Sequence, residues 1–279
     1  MVTRHGRVPM MPETKVVKPE IRILQQPEEL FQAAAELFVG AAQRAVADRG
    51  RFCVALAGGS TPRSLYRLLA EERAWREAMP WSKSHFYWSD ERHVPPSHED
   101  SNFRMAMEAM LSNVLVPAAN LHRIEGERER AEEAARLYER KLREFFGLVP
   151  GEFPCFDLAL LGIGSDGHTA SLFPGTPALD ERDCLVVSNR VEKLRTERIT
   201  FTVPTLNNAA HVVFLVKGED KAAALAAVFE GPYEPAKFPA QLIRPVHGRL
   251  TVLADEAAAS GLAQGGVRAP AGDGCPSRN

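Results

Sequence analysis

Residues 156–163 read FDLALLGI, an almost continuous apolar run, and the chain passes from it directly into GSDGHT at 164–169. A short apolar run that ends in a glycine-rich polar loop is typical of a strand buried on both faces of a parallel sheet. A second such run, CVALA at 53–57, ends in GGSTP at 58–62. The two runs predict a buried sheet whose strand ends carry polar loops.

Strands and helices alternate along the rest of the chain, which predicts a modified doubly wound (Rossmann-like) α/β fold. In such a fold a mostly parallel sheet is covered by helices on both faces. The further strands are expected at 21–25, 85–88, 121–124, 184–188, 199–203, 212–216 and 250–253, and the helices at 27–50, 64–72, 102–111, 129–146 and 220–229. Because no internal repeat or linker divides the chain, we expect one domain over 21–262. Residues 1–20 and 263–279 are expected to be disordered ends.

Composition narrows the class of protein. The chain has 279 residues, 45% hydrophobic and 25% charged, and a formal net charge of −2. This balance is typical of a globular protein and gives no general affinity for nucleic acid or anionic membranes. No apolar run approaches the ~20 residues of a spanning helix. The four cysteines, at 53, 155, 184 and 275, show no short spacing, and the first twenty residues lack the apolar stretch of a secretory signal. We therefore expect a cytoplasmic protein.

The first polar loop contains Gly58, Gly59, Ser60 and Thr61. Glycines let a ligand approach the backbone, and the N–H groups at the start of the following helix favour an anion such as phosphate. A tight turn with a Ser/Thr cap fits this loop equally well. The loop lacks the Lys-Ser/Thr ending of a Walker A loop and does not read GxGxxG.

The second loop brings three charges, Asp90, Glu91 and Arg92, directly after an aromatic strand. Arg92 can bind a phosphate or carboxylate with two hydrogen bonds. Asp90 can hold the orientation of Arg92 or bind sugar hydroxyls. The alternative is a surface cluster of ion pairs. The histidines and carboxylates that follow, at 93 and 98–100, match no common metal-ligand spacing, so no metal site is expected.

The third loop holds Asp166 and His168 between glycines. A histidine can take a proton from water near neutral pH, and Asp166 can orient its ring or contact a substrate. The alternative is a turn in which Asp166 bonds to the backbone and His168 caps the next helix. Arg198 and Lys221 begin a later strand and a later helix, and either side chain can reach the site or stay solvated.

Five blocks of this sequence resemble the 6-phosphogluconolactonases of the glucosamine-6-phosphate isomerase superfamily. The resemblance runs from about residue 21 to about residue 261. The blocks are AGGSTP at 57–62, SDER at 89–92, SNF at 101–103, LLGIGSDGHTASLFP at 160–174 and RITFTVPTLNNA at 198–209. The resemblance implies the modified doubly wound fold named above. It also implies the hydrolysis of 6-phospho-D-glucono-1,5-lactone to 6-phosphogluconate, in the pentose phosphate pathway, with no metal and no cofactor.

The resemblance also implies roles for particular residues. His168 is the expected general base, with Asp166 beside it. Arg92 and the loop 59–61 are expected to hold the phosphate or the sugar, together with a cation from Arg198 or Lys221. The chemistry agrees, because a δ-lactone is an activated ester that one positioned base can open. No GxSxG sequence supports a serine-hydrolase route.

Two other functions compete with this one. The isomerases and deaminases of the superfamily carry an aromatic residue in place of Arg92 and a Phe-Asn-Glu-Pro run after the histidine, whereas residues 169–174 read TASLFP. Non-catalytic sugar-phosphate sensors carry a DNA-binding helix-turn-helix, for which the short N-terminal stretch has no room. We therefore expect an enzyme acting on a small phosphosugar lactone, with no nucleic-acid or membrane partner, as a monomer or a homodimer.

Overall fold

The computed structural model describes residues 18–263 and 267–268. Eight of its strands form one sheet in which every neighbouring pair is parallel. This confirms the predicted mostly parallel α/β fold. In spatial order the strands are β11 (Val267–Arg268), β1 (Glu20–Leu24), β10 (Arg249–Asp255), β9 (His211–Val216), β6 (Leu158–Leu161), β2 (Phe52–Leu56), β3 (Ser84–Trp88) and β5 (Leu121–His122).

The eight α-helices of the described residues connect these strands. They are α1 (Pro27–Arg49), α2 (Ser60–Glu71), α3 (Arg73–Ala78), α4 (Asn102–Ala109), α5 (Ala131–Phe146), α6 (Val203–Asn207), α7 (Ala222–Phe229) and α8 (Glu256–Ala259). The longest, α1, begins with a reciprocal capping box between Gln26 and Glu29 and ends at Gly50, whose φ of 75° is left-handed. Among the described residues, no helix combines the length and the apolar composition that a membrane-spanning helix requires.

A second, three-stranded antiparallel sheet was not predicted. It consists of β4 (Asp90–Arg92), β8 (Thr196–Phe201) and β7 (Val186–Val191), with β8 in the centre. The sequence placed 184–188 and 199–203 in the parallel sheet and 89–94 in a loop. Only a short turn over Glu192–Leu194 and Arg195 joins β7 to β8, and so short a connection forces antiparallel pairing because parallel strands need a long crossover.

The core lies at the centre of the main sheet. Every residue of β2, β6 and β9 is buried, as the continuous apolar runs predicted for the first two. Since neighbouring parallel strands end at the same edge, the segments that follow β2, β3, β6 and β9 meet there. The expectation of a single domain over 21–262 stays a prediction. The expected disordered ends, 1–20 and 263–279, lie largely outside the described residues.

Candidate active site

Two adjoining cavities lie at the carboxyl ends of the central strands. The first, which we name the loop-side cavity, has a volume of about 240 Å³ and includes in its lining Gly58, Gly59, Ser60, Thr61, Asp90, Arg92, Asn102, His168, Lys217 and Lys221. The second, the hairpin-side cavity, has about 250 Å³ and includes Asp90, Arg92, Asp166, His168, Ala170, Ser171, Phe173, Lys193 and Arg198. The structure thus brings all ten predicted site residues to this edge of the sheet. Lys221 lies on the loop side and Arg198 on the hairpin side.

His168 is held by the loop that follows β6. Its Nδ1 lies 2.5 Å from Asp166 Oδ1, and its ring stacks on Phe173 with 4.1 Å between the ring centroids. A methyl group at Gly164 would lie 2.0 Å from Nδ1, so glycine is required there to admit the ring. A carboxylate only accepts hydrogen bonds, so a neutral His168 carries its proton on Nδ1. Its Nε2 is then the nitrogen able to take a proton.

Asp166 is partly buried beside this histidine. Burial raises the pKa of Asp166, but the hydrogen bond and charge of His168 outweigh it and the pKa is lowered overall. Asp166 Oδ1 also accepts the backbone N–H of His168 at 3.3 Å, and Oδ2 lies 3.8 Å from Lys193 Nζ. These contacts keep the carboxylate ionised and aimed at the imidazole.

The sequence suggested that Asp90 orients Arg92, but among the described residues these two side chains form no hydrogen bond or ion pair with each other. The buried Asp90 carboxylate accepts hydrogen bonds from Ser171 Oγ at 2.7 Å and from Asn102 Nδ2 at 3.2 Å. The Arg92 guanidinium instead donates to the backbone carbonyl of Asp100. Asp90 and Arg92 are alternate residues of β4 and share a face of the strand, but a different neighbour satisfies each of them. The other suggestion for Asp90, a contact with sugar hydroxyls, stays open because the carboxylate lines both cavities.

Two arginines lie side by side across the antiparallel sheet. Arg92 pairs with Arg198 in the register of β4 and β8, and within 18–263 neither forms an ion pair with a carboxylate. Burial, and then the charge of Arg92, lower the pKa of Arg198. The carboxylates of Asp90, Asp100 and Glu91 offset part of this effect, and two neighbouring cations that form no direct ion pair can attract an anionic group.

The loop after β2 offers a second positive region. Gly59, with a φ of 99°, precedes α2, and Ser60 and Thr61 form the first turn of that twelve-residue helix. The N–H groups of a helix start and its macrodipole favour an anion. Lys221, in the short turn before α7, lines the same cavity, although its Nζ also lies 2.8 Å from the exposed Asp220 carboxylate. The loop and Lys221 therefore bring N–H donors and a positive charge to one cavity.

Several lining residues were not identified from the sequence. Asn102 and Ser171 stand inside the blocks quoted above, and that position was the only signal that could have marked them. Lys193 and Lys217 are exposed lysines with no distinguishing local pattern. Ala170 has a left-handed φ of 46°, which is uncommon for a residue other than glycine and here occurs in the lining of both cavities.

No three His, Cys, Asp or Glu side chains in the described chain are grouped so that they could hold a metal ion. His93, for instance, contacts the carbonyl oxygen of Arg128 at 2.7 Å, and His98 accepts the backbone N–H of Asp100. The independence of metals and cofactors nevertheless stays a prediction.

Comparison with known proteins shows the family to which this chain belongs. The family model described as glucosamine-6-phosphate isomerases/6-phosphogluconolactonase matches residues 25–252. A Synechocystis protein named 6-phosphogluconolactonase is 46% identical over 219 residues, 78% of this chain and 88% of that protein. An Oryza sativa protein named probable 6-phosphogluconolactonase 3, chloroplastic, is 41% identical over 226 residues, 78% of this chain and 68% of that protein. The solved 6-phosphogluconolactonase from Trypanosoma cruzi has a TM-score of 0.78 at 30% identity and covers 90% of this chain and 99% of its own.

Proposed function

Since the chain belongs to the family of glucosamine-6-phosphate isomerases and 6-phosphogluconolactonases, we propose that it hydrolyses 6-phospho-D-glucono-1,5-lactone to 6-phospho-D-gluconate. It is a carboxylic ester hydrolase that acts in carbohydrate metabolism, in the pentose phosphate pathway. The observation that carries the proposal is the 2.5 Å contact between Asp166 and His168, beside cavities whose linings include the start of α2 and the two arginines. This arrangement supplies a base and two positive regions for an anionic ester.

His168 is the general base of the proposed reaction. Its Nε2 takes a proton from water, and the hydroxide attacks the lactone carbonyl carbon C1. The tetrahedral intermediate expels the ring oxygen, which takes the proton back from the imidazolium and becomes the C5 hydroxyl. Asp166 keeps the proton of the resting imidazole on Nδ1 and stabilises the imidazolium while it exists. A positioned base of this kind contributes about 10²–10⁴-fold to the rate.

The phosphate lies at the start of α2 in this proposal. There the loop Gly58, Gly59, Ser60 and Thr61 offers N–H and hydroxyl donors, and Lys221 lines the same cavity. Arg92 lines both cavities, so its guanidinium meets the phosphate from the other side. A phosphate fixed at this end holds the lactone ring beside His168.

Arg198 takes a different role from Lys221. It lines only the hairpin-side cavity, together with Asp166 and His168. We assign it to the carbonyl end of the lactone, where its charge stabilises the developing oxyanion and then the product carboxylate. Replacing Arg198 by Met should therefore lower kcat with both phosphorylated and phosphate-free lactones. Replacing Lys221 by Met should mainly raise KM for the phosphorylated one.

A proton-release assay tests the proposal. Freshly made 6-phosphogluconolactone is added to the protein in weak buffer, and the spontaneous rate is subtracted. We expect rapid hydrolysis by the wild type and a 10²–10⁴-fold lower kcat for His168→Ala, with binding of 6-phosphogluconate retained. The exposed His247 lies outside both cavities, so His247→Ala is the matched control and should keep full activity. Wild-type protein that binds 6-phosphogluconate without accelerating hydrolysis would be a sugar-phosphate-binding module. Conversion of glucosamine 6-phosphate would instead indicate an isomerase or deaminase.

The setting of the enzyme is also a proposal. We place it in the cytoplasm as one domain over 21–262, a monomer or a homodimer, with no nucleic-acid or membrane partner. The net charge of −2 supports the absence of a nucleic-acid or membrane partner. The cytoplasm is supported by Cys53, because burial raises the pKa of its thiol to about 12 and makes it an inert core residue. Fractionation of the source cells and light scattering of the purified protein test compartment and assembly, and stability of a 21–262 fragment tests the domain.

A further inference from the structure

Asn102 lies at the base of the loop-side cavity with one end of its side chain fully engaged. It is the first residue of α4 and is only 2% exposed. Its Nδ2 donates to the Asp90 carbonyl oxygen at 3.0 Å and to Asp90 Oδ1 at 3.2 Å. Its backbone N–H donates to Glu91 Oε1 at 2.7 Å. Because two acceptors meet the Nδ2 end, the orientation of the amide is fixed by its network.

The other end of the amide faces the cavity. A methyl group at Gly58 would lie 2.0 Å from Asn102 Oδ1, so the oxygen packs directly against the first glycine of the loop. Among the described residues Oδ1 accepts no hydrogen bond. Four side-chain polar atoms of the described residues are fully buried without a hydrogen-bond partner, and Asn102 Oδ1 is not one of them. Since Asn102 lines the loop-side cavity, this oxygen is open to whatever the cavity binds.

The chemistry of this oxygen selects its ligand group. A carboxamide oxygen accepts hydrogen bonds and donates none. A phosphate dianion and a lactone carbonyl are also acceptors, so neither can donate a hydrogen bond to it. The groups of a phosphosugar lactone that can donate to it are the hydroxyls of the ring. The buried Asp90 carboxylate beside it is a second acceptor, and Arg92, Lys217 and Lys221 also line the cavity. The cavity therefore combines acceptors for hydroxyls with cations for an anionic group.

We infer that Asn102 Oδ1 accepts a hydrogen bond from one ring hydroxyl of the lactone, and that Asn102 is a specificity-determining residue of this site. The inference rests on the proposed function. The inference also explains why residue 58 is a glycine, because any larger side chain there would displace the oxygen that accepts the hydrogen bond from the hydroxyl. The Nδ2 end of the same amide holds Asp90 in place, so one side chain has a positioning end and a recognition end.

Lactones that each lack one hydroxyl test this inference. Wild-type protein, Asn102→Ala and Asn102→Asp are assayed with 6-phosphogluconolactone and with its 2-deoxy, 3-deoxy and 4-deoxy analogues. For one analogue we expect the wild type to lose about 10- to 100-fold in kcat/KM, the usual effect of leaving a buried polar partner unpaired. Asn102→Ala should show no penalty for that analogue while keeping the penalties for the other two. The other two analogues are therefore internal controls.

Asn102→Asp separates recognition from positioning. It keeps an accepting oxygen towards Gly58 but replaces the NH₂ donor to Asp90, so kcat should fall while the selective penalty for one deoxy analogue remains. If Asn102→Ala does not fold, this variant carries the test alone, and loss of the selective penalty in it would overturn the inference. Penalties in Asn102→Ala identical to those of the wild type for all three analogues would also overturn it.

The outcome also distinguishes this inference from the proposed function. A wild type that hydrolyses the parent lactone, with unchanged deoxy penalties in Asn102→Ala, overturns the role of Asn102 alone. A wild type with no hydrolysis overturns the proposed function. In that case calorimetric binding of 6-phosphogluconate and its deoxy forms tests the hydroxyl contact by the same comparison of Kd ratios.

Discussion

Replacement of Asp166 by asparagine changes few atoms but removes the charge on which the orientation of His168 depends. In the wild type Oδ1 accepts the Nδ1–H of His168 at 2.5 Å and its backbone N–H at 3.3 Å. An asparagine can present its NH₂ group to Nδ1 instead. The imidazole then carries its proton on Nε2 and has no lone pair towards the water. We therefore expect Asp166→Asn to fold normally and to lose most of its lactonase activity.

The size of the loss follows from the role of the base. If the variant holds His168 in the wrong tautomer, it forfeits the 10²–10⁴-fold contribution of the base, which is about 3 to 5 kcal/mol in activation free energy. The side chains of Asp166 and His168 are each 29% exposed, so water partly replaces the missing carboxylate and the lower half of the range is expected.

A double-mutant cycle with His168→Ala checks the reasoning. In the His168→Ala background, Asp166→Asn should have almost no further effect on kcat, since there is no longer an imidazole to orient. Asp48→Asn is the matched control, because Asp48 is exposed and lies in neither cavity. A full Asp166→Asn defect that persists without His168 would refute the proposed role and would place Asp166 on the substrate instead.

Three further predictions concern other parts of the molecule. Arg92→Lys should lower kcat/KM for the phosphorylated lactone about 10- to 100-fold because lysine lacks the two-pronged fork; a clearly smaller effect on phosphate-free gluconolactone is required, and equal penalties would assign Arg92 to the sugar. Prolonged chelation should leave the rate unchanged, and a loss restored by one divalent ion would contradict this. Burial, followed by the charges of Arg249 and Arg44, lowers the pKa of His211 to about 4. The folded protein therefore resists a proton that the unfolded chain accepts, and stability should fall between about pH 6.5 and 4 by up to about 1.4 kcal/mol per pH unit. Acid denaturation of His211→Asn should show a shallower slope in that window.

The parallel sheet could be predicted because its strands carry a strong local signal. The runs at 53–57 and 156–163 are apolar at almost every position, and the strands they predict, β2 and β6, are buried throughout. The ends of α1 were equally readable, because proline begins the helix and Gly50 ends it with a left-handed φ. In each case the side chains needed by the fold are the side chains that mark the element in the sequence.

The antiparallel sheet could not be predicted in full in the same way, because β4 joins the β7–β8 pair from a distant part of the sequence. β4 pairs with β8 across more than a hundred residues, and nothing local in 90–92 indicates the partner. The lining of the site shows the same limit. The loop glycines and His168 stand out in the sequence, whereas Asn102 and Lys193 reach the cavities only through the packing of α4 and the turn after β7.

The three adjacent charges at 90–92 include both residues that line the cavities and a residue that fixes a neighbouring helix. Three adjacent charges suggest a solvated loop, but in a strand successive side chains point in opposite directions. Asp90 and Arg92 accordingly line the cavities. Glu91, 2% exposed, points the other way and accepts the backbone N–H groups of Arg92, Asn102 and Phe103 and the hydroxyl of Ser101. That buried carboxylate fixes the start of α4, and α4 places Asn102 against Asp90 and Gly58. The charge that lines neither cavity is therefore the one that sets the positions of residues that do line them.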